Sequence, residues 1–270
     1  MYGYGNSMIL ATHGILARSG GGGGVDPDAQ AFITAAAITD PTQQAAINTL
    51  VVDLKGYSIW TKMKALYPFV GGTASSNSFN LRNTAQFQIT WNGGVTHNSN
   101  GVTFNGTNGY GNTGYNLSTN STITNISGGV YNRSTGNTGA SFGAINAGFQ
   151  GLQLSIKFSD NNTYYGANDF ILTGSGNHVS DRRGFFIVNR ESLTSKRFYR
   201  NGASITSANP GGNDANPNTN VLLGARGAQI DSYDSGNYAF HFLGDTLTPT
   251  EAANFYTAVQ AFQTTLGRQV

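Results

Sequence analysis

The chain has 270 residues, of which 37 are Gly and 30 are Asn, and only 10% of its residues are charged. An average chain is about 25% charged and about 7% Gly, so this composition argues against a large helical enzyme and favours short strands joined by many turns. Hydrophobic residues make up 38% of the chain and the net charge is +2, which argues against whole-chain disorder and against a nucleic-acid partner.

Cysteine and long apolar runs are both missing from the sequence. The lack of Cys excludes disulfides, thiolate metal sites and cysteine nucleophiles. No apolar run approaches the roughly 20 residues of a membrane-spanning helix, so we expect no membrane span. No Lys or Arg precedes the first apolar stretch, which makes a secretory signal a poor interpretation of the N-terminus.

Residues 1–25 divide into an apolar peptide and a linker. Gly20 to Gly24 form an unbroken run of five glycines, and such a run behaves as flexible coil. Residues 1–19 are then either a disordered tail or a peptide that docks into another subunit or a larger assembly. We favour docking, because a bare tail has little reason to expose large apolar side chains. The residues expected to anchor the chain are Met8, Ile9, Leu10, Ile15 and Leu16.

Residues 26–66 are predicted to be helical. Asp26-Pro27 and Asp40-Pro41 each place an N-cap residue before a proline at the first helical position. After the second proline an apolar stripe recurs at helical spacing, and it is either core or a helix–helix contact between chains. The stripe is Ile47, Leu50, Val51 and Leu54, Gly56 is the expected stop, and an amphipathic pattern continues through Trp60, Met63, Leu66 and Tyr67.

From residue 69 the pattern becomes that of a β-sandwich or barrel. Residues 83–132 contain no Asp, Glu, Lys or Arg, and short runs of β-forming residues alternate there with Asn-Gly and Gly-Gly turns. No fixed-period repeat is present, which disfavours a solenoid or a propeller. The predicted strands are 87–91, 102–104, 122–126, 151–158, 184–189, 197–200, 221–223 and 238–242.

The C-terminal helix is the best-defined element of the sequence. Thr248-Pro249-Thr250-Glu251 is a capping box with proline at the first helical position. Apolar residues follow at helical spacing up to a stop at Gly267, so one face of this helix should pack on the sandwich. These residues are Ala252, Phe255, Val259, Phe262 and Leu266.

Several short motifs resemble those of concanavalin A-like, laminin-G-like jelly rolls. Phe198-Tyr199-Arg200-Asn201-Gly202 resembles their Tyr-x-Asn-Gly hairpin, and Asn105–Tyr110 resembles their opening strand. Leu243-Gly244-Asp245, followed by the C-terminal helix, is similar to the end of that domain. The resemblance implies a mainly β fold, a jelly-roll β-sandwich preceded by a short helical region and closed by a C-terminal helix.

The segments Asp40–Gly72 and Glu251–Val270 also resemble bacteriophage virion proteins that carry this domain, namely tail, fibre or head-decoration components. That resemblance implies an exposed component of the virion surface, often trimeric and often suspected of glycan binding. It divides the chain into a virion-anchoring peptide with a Gly linker (1–25), a helical association region (26–66) and a concanavalin A-like sandwich (67–270). The expected partners are other virion proteins through residues 1–19, further copies of the chain in a homotrimer, and a host-surface glycan.

We expect a non-enzymatic protein with no catalytic residues and no cofactor. Glycosidases need two carboxylates roughly 5–10 Å apart, and the two Glu residues of the chain, Glu191 and Glu251, lie sixty positions apart. Gly139–Gly143 matches the G-x-S-x-G nucleophile elbow, but the segment after it is too short and glycine-rich for the required helix. Gly109–Gly114 matches G-x-G-x-x-G, but no helix opens there and no acidic residue follows within 40 positions.

No metal site is predicted, although a Ca²⁺ site at the sandwich rim, as in some laminin-G-like domains, stays open. Asp214-Ala215-Asn216-Pro217-Asn218 places oxygen ligands like a Ca²⁺ loop, but Thr219 stands where such a loop needs glycine and Ala225 where it needs Glu. The histidines show no ligand spacing. They are His13, His97, His178 and His241.

Aromatic and Asn-rich loops are the remaining functional candidates. Sugars are bound by stacking on aromatic faces, with hydrogen bonds from Asn, Asp and Arg to hydroxyl groups. The competing interpretation is that such residues are ordinary components of turns. The candidate glycan-binding residues, all expected in loops, are Tyr164, Tyr165, Asn168, Asp169, Arg182, Arg183, Tyr233 and Asp234.

The sequence thus predicts a fibre, spike or decoration protein of the virion surface, anchored by its N-terminus and displaying a jelly-roll domain toward host glycan. The alternative is a soluble or secreted carbohydrate-binding module, and a glycan hydrolase is a remote third possibility.

Overall fold

The computed structural model describes residues 24–136, 139–160, 162–170, 172–173, 181–208, 214–227 and 229–270. These residues form a mainly β structure in which two antiparallel sheets pack as a sandwich. The anchoring prediction for Met8, Ile9, Leu10, Ile15 and Leu16 lies outside the described residues. No helix in the described ranges is long and apolar enough to cross a membrane.

The helices lie near the two ends of the described chain and in two short connections. They are α1 (Pro27–Ala35), α2 (Pro41–Gly56), α3 (Ala74–Ser78), α4 (Leu117–Asn120) and α5 (Pro249–Thr265). The predicted caps are confirmed, since the side chains of Asp26, Asp40 and Thr248 accept hydrogen bonds from the first turns of α1, α2 and α5. Glu251 completes the capping box of α5 by accepting from the Thr248 amide at 2.7 Å.

The strands are short and are joined mainly by tight turns. They are β1 (Met63–Tyr67), β2 (Thr90–Asn92), β3 (Val95–Asn98), β4 (Gly101–Phe104), β5 (Tyr110–Asn116), β6 (Ile126–Asn132), β7 (Phe142–Ile145), β8 (Gln150–Ser155), β9 (Tyr164–Phe170), β10 (Leu172–Thr173), β11 (Gly184–Ser192), β12 (Ser195–Arg200), β13 (Ala203–Ala208), β14 (Asn220–Leu223) and β15 (Asn237–Gly244).

Within the described ranges the strands form two sheets of similar size. Sheet A has the order β13-β12-β11-β6-β15-β4-β3, with β1 also paired to β15, and sheet B has the order β10-β9-β8-β7-β14-β5-β2. One apolar cluster fills the space between the sheets, and a second lies between sheet A and the helices α1, α2 and α5. The central strands of sheet A are therefore buried on both sides.

The helical prediction for residues 26–66 is wrong at its C-terminal end, from residue 60 onward. Trp60–Lys62 form a single 3₁₀ turn, and Met63–Tyr67 form strand β1, which pairs with the end of β15. Leu66 belongs to the cluster under the helices and Tyr67 to the cluster between the sheets, so β1 is buried on both sides. A strand buried on both sides has no polar alternation, which is why its spacing resembled a helix face.

The apolar stripe of α2 lies in the core of the chain. Ile47, Leu50, Val51 and Leu54 are at most 1% exposed and pack in the cluster that joins the helices to sheet A. Gly56 is not the helix stop, since it is the last residue of α2 and Ser58 takes the left-handed conformation instead, with φ of +60°. Of the two interpretations of the stripe, the structure shows core packing.

Candidate functional site

The structure places most of the predicted glycan-binding side chains in the interior. Tyr165, Asn168, Asp169, Arg182 and Asp234 are at most 2% exposed. The predicted loop location is wrong for four of the eight residues, because Tyr164, Tyr165, Asn168 and Asp169 all lie in strand β9. Arg183 is exposed, whereas Tyr164 and Tyr233 are half-buried.

Asp169 belongs to a buried ion-pair network that joins the two sheets. Its carboxylate lies 2.5 Å from the Lys196 ammonium, and both side chains are fully buried. Arg190 continues the network, donating at 2.7 Å to Asp214 and at 3.1 Å to the Ala167 carbonyl. Burial raises the pKa of Asp169 and lowers that of Lys196, against their mutual attraction. Since β9 is in sheet B and β12 in sheet A, this network ties the sandwich together.

Asp234 and Arg182 come together in a second interior cluster. The Asp234 carboxylate accepts from the Gly236 amide at 3.1 Å and from the Tyr238 hydroxyl. Burial lowers the pKa of the Arg182 guanidinium, and the negative charge of Asp234 opposes that shift. Arg183 instead pairs with Asp181 at 3.0 Å on the surface.

The enzymatic motifs lack the geometry that their chemistry needs. The G-x-S-x-G segment leads into β7 and then a hairpin to β8, with no helix after it, and Ser141 is fully buried. Glu251 is engaged in the α5 cap and pairs with Lys62 at 2.6 Å. Glu191 pairs with Arg197 at 2.6 Å. Both Glu carboxylates of the chain are therefore already engaged in ion pairs.

The oxygen atoms of the Asp214–Asn218 loop are used in hydrogen bonds. Asp214 accepts from Arg190, Asn216 accepts from the Ser121 hydroxyl at 3.2 Å, and Asn218 accepts from the Asn116 amide at 2.9 Å. Across the described ranges, no group of three His, Asp or Glu residues is placed to hold a metal ion.

A surface site forms instead around Arg226, on the side of sheet B that faces away from the sandwich core. Arg226 lies directly on the sheet because residue 143 is glycine, where a Cβ would come within 2.9 Å of the Arg226 Cβ. Its Nε donates to Asp231 at 2.8 Å and one terminal nitrogen donates to Gln153 at 3.3 Å. The guanidinium also lies 5.3 Å from the ring centre of Phe149 and 5.8 Å from that of Phe158.

Phe149 is the exposed aromatic group of this site. It is 49% exposed at the turn between β7 and β8, and its backbone takes the left-handed conformation with φ of +57°. Asn146 fixes that turn, because its side-chain oxygen accepts from the amides of Gly148 at 2.9 Å and Gln150 at 3.1 Å. The turn therefore holds the Phe149 ring at the surface, beside the Arg226 guanidinium.

A cavity of about 150 Å³ opens beside Phe149. We call it the Arg226 pocket, because the loop that follows Arg226 forms one of its walls. Its lining combines an aromatic ring, two side-chain amides and a carboxylate, which are groups that hydrogen-bond sugar hydroxyls and stack on sugar rings. The lining residues are Ile145, Asn146, Ala147, Phe149, Gly227, Gln229 and Asp231.

Sequence reasoning missed this site. Phe149 and Arg226 are distant in sequence, and their contact depends on a loop that folds back over sheet B. Of the predicted glycan-binding residues, Tyr164 adjoins the site, since its ring contacts that of Phe158 edge-to-face at 5.6 Å. Its hydroxyl donates to Asp160 at 2.6 Å. The one local signal in the sequence was Phe149, an apolar residue within a turn. Apolar residues within turns are common in this chain.

No protein-family model and no curated protein matches the chain. Among solved structures it is similar to the binding domain of botulinum neurotoxin serotype D, with 13% identity, a TM-score of 0.47 and coverage of 74% of this chain and 52% of that one. It is also similar to domain 4 of a GH43 extracellular arabinanase from Geobacillus stearothermophilus in complex with arabinotriose, with 17% identity, a TM-score of 0.48 and coverage of 72% and 98%. The chain spans about half the length of the toxin binding domain. At these identities the likeness is one of fold alone.

Proposed function

We propose that this chain is a non-enzymatic, glycan-binding protein of the bacteriophage virion surface, with a concanavalin A-like jelly roll as its binding domain. The observation that supports glycan binding is the Arg226 pocket. In it a half-exposed Phe149 ring lies beside the polar side chains of Asn146, Gln229 and Asp231. A pocket of this kind offers a sugar ring an apolar face and several hydrogen bonds at once.

The charge balance of the pocket favours binding over catalysis. The Arg226 guanidinium is neutralised by Asp231 at 2.8 Å, so the site carries no excess charge that would select a strongly ionic ligand. Asp231 is the acidic group that lines the cavity, and hydrolysis of a glycosidic bond needs two carboxyl groups. The pocket is therefore suited to hold a glycan rather than to cleave it.

The virion part of the proposal is supported by the sequence motifs. Residues 40–72 and 251–270 resemble phage tail, fibre and head-decoration proteins, and an apolar peptide with a five-glycine linker precedes them. In this arrangement the peptide would anchor the chain, the linker would allow the anchor and the sandwich to follow different symmetries, and the sandwich would project outward.

Glycan binding is tested first on a microarray of bacterial surface polysaccharides and oligosaccharides, followed by calorimetric titration with the glycan that binds best. Phe149→Ala and Arg226→Gln should each weaken binding about tenfold or more, as expected for a central aromatic or arginine contact. Leu193→Ala is the matched control, because Leu193 is 62% exposed on a different hairpin. Binding that survives both pocket variants would place the site elsewhere, and a microarray without any bound glycan would overturn the binding proposal.

The virion role is tested on purified phage particles from a strain that produces the chain. Mass spectrometry should find the chain in the particles, and antibodies against the folded sandwich should label their surface. A chain found free in the culture fluid and absent from particles would favour the alternative, a secreted carbohydrate-binding module.

We also propose that the chain forms a homotrimer. The α2 stripe is used inside the chain, so the contact between copies must involve another surface. Light-scattering masses of the full chain and of a chain that begins at Asp26 test this. If both proteins are trimers, the contact between copies lies in residues 26–270 and the first 25 residues are left for anchoring. If both are monomers, the trimer proposal is contradicted and the secreted module is favoured.

A further inference from the structure

Arg82 is a cation for which the described part of the chain supplies no acceptor. Its guanidinium lies 5.1 Å from the ring centre of Trp60, a side chain that is only 5% exposed. Its Nε is buried and has no hydrogen-bond partner among the described residues. A buried donor left without an acceptor is unfavourable, so such groups are usually matched by a ligand or another partner.

The neighbouring acidic groups are already paired with other cations. The Lys64 ammonium forms an ion pair with the Asp245 carboxylate at 2.8 Å. Lys55, which lies 5.5 Å from the Trp60 ring, holds Asp26 at 2.7 Å and Asp28 at 2.6 Å. The positive charge of Arg82 therefore stays uncompensated while the cations around it are neutralised.

A cavity of about 190 Å³ lies beside Arg82. Its polar lining includes Thr61, Lys64, Asn83 and Gln86, which bring a hydroxyl, an ammonium and two side-chain amides to the same space. The loop that carries Arg82 is held in place by the buried Asn80, whose side-chain oxygen accepts from the amides of Leu66 and Arg82, each at 2.9 Å. Arg82 is thus positioned at the cavity by the Trp60 ring and by its own backbone.

We propose that this cavity binds a compact oxyanion, either a carboxylate or a phosphate or sulfate group, with Arg82 as the primary donor. The planar guanidinium offers two parallel N–H groups to such an anion, and charge-assisted hydrogen bonds of this type are about twice as strong as neutral ones. The site adjoins β1, in sheet A, whereas the Arg226 pocket lies on sheet B. The two sites are therefore independent, and failure of one leaves the other standing.

The test is a nuclear magnetic resonance titration of the ¹⁵N-labelled full chain, observing the arginine Nε–Hε signals. The signal of Arg82 is identified as the one that disappears in Arg82→Gln. Sodium glucuronate and sodium phosphate are added in separate titrations, with sodium chloride keeping the ionic strength constant. We expect a saturable shift of the Arg82 signal with at least one anion. The backbone amide signals of Asn83 and Gln86, which line the cavity, are followed in the same titration and should give an affinity about tenfold or more lower in Arg82→Lys, which retains the charge but loses the planar guanidinium.

Arg183→Gln is the matched control, because Arg183 is exposed and paired with Asp181. It should leave the titration unchanged. Saturation by glucuronate alone would identify a carboxylated sugar as the ligand class, and saturation by phosphate alone would identify a phosphate or sulfate ester. No shift with either anion, or a linear shift shared by the Arg183 signal, would overturn the proposal.

Discussion

The two sheets of the sandwich present opposite outer surfaces. On sheet A the outward side chains are large and apolar, and they are covered by α1, α2 and α5. On sheet B the residues that alternate with the core positions Leu152 and Leu154 are small or polar, and Gly143 leaves room for Arg226 to lie on the strands. The apolar outward residues of sheet A are covered by helices, whereas the small and polar outward residues of sheet B make room for the Arg226 side chain.

Phenylalanine shows the contrast most directly. The ring of Phe255 in α5 lies 4.7 Å from that of Phe242 and 5.2 Å from that of Phe185, both in sheet A. The ring of Phe149, in the hairpin between β7 and β8 of sheet B, is half exposed and has a guanidinium on one face. The same residue type is therefore packed in the core on one sheet and exposed at the surface on the other.

The largest expected effect is a loss of stability when the packing of α5 against sheet A is disrupted. Phe255→Ala should lower the free energy of unfolding by about 3–5 kcal/mol, since it leaves a cavity among packed aromatic rings. Urea unfolding followed by circular dichroism measures this, with Phe149→Ala as the control, which should cost less than about 0.5 kcal/mol as a surface change. Equal losses in the two variants would show that the two sheets do not differ in this way.

The buried ion-pair network that joins the sheets should be nearly as sensitive. Lys196→Met leaves the Asp169 carboxylate buried without its cation and should cost about 3 kcal/mol or more. The double variant Lys196→Met with Asp169→Leu removes both charges and should recover part of that loss. Urea unfolding of the four proteins gives the coupling energy, and a double variant as unstable as the sum of the single variants would contradict the assignment.

Acid sensitivity should come from the interior of the sandwich. His241 is fully buried between the rings of Tyr67 and Phe142, and burial lowers its pKa from 6.5 to about 3. Above pH 6.5 the imidazole is neutral in both states and contributes nothing to the pH dependence. Below pH 6.5 the unfolded chain binds a proton that the folded chain does not, so the free energy of unfolding falls by about 1.4 kcal/mol per pH unit until the folded pKa is reached.

The variant His241→Phe isolates this effect. Between pH 6.5 and pH 5 it should lose about 2 kcal/mol less stability than the natural chain does. His97, whose pKa is also lowered by burial, adds loss of the same sign in both proteins and so cancels in the comparison. The measurement is urea unfolding at several pH values, and parallel pH profiles for the two proteins would contradict the role of His241.

The parts of the fold that were predictable are those that local chemistry decides. The Asp26, Asp40 and Thr248 caps define helix starts through hydrogen bonds within four residues, and Asn201-Gly202 forms the turn between β12 and β13. Strand β6 was largely missed, because Gly128 and Gly129 in its centre resemble a turn signal. A Cβ at Gly129 would lie 2.2 Å from the Phe186 carbonyl oxygen, so glycine is required there by close strand packing.

The candidate site was less predictable than the fold. Asp169 and Asp234 have the residue types of a sugar site, but their burial depends on contacts with Lys196 and Tyr238 that no local pattern reveals. Arg226 reaches the Phe149 ring across sheet B because Gly143, on β7, leaves room for its side chain. Sites of this kind depend on long-range packing, whereas caps and turns do not.

The smallest expected effect on stability is that of replacing Phe149, the exposed aromatic residue in the hairpin between β7 and β8 of sheet B. Phe149→Gly removes the exposed ring and relieves a left-handed backbone conformation, φ of +57°, that costs a non-glycine residue roughly 1 kcal/mol. Against this, glycine adds freedom to the unfolded chain, so the free energy of unfolding should change by less than about 1 kcal/mol in either direction. Binding of the glycan identified on the microarray should nevertheless fall at least as far as in Phe149→Ala. If Phe149→Gly binds the glycan normally, the Phe149 ring is not the surface on which the sugar stacks. If it loses as much stability as Phe255→Ala, the hairpin between β7 and β8 is part of the scaffold.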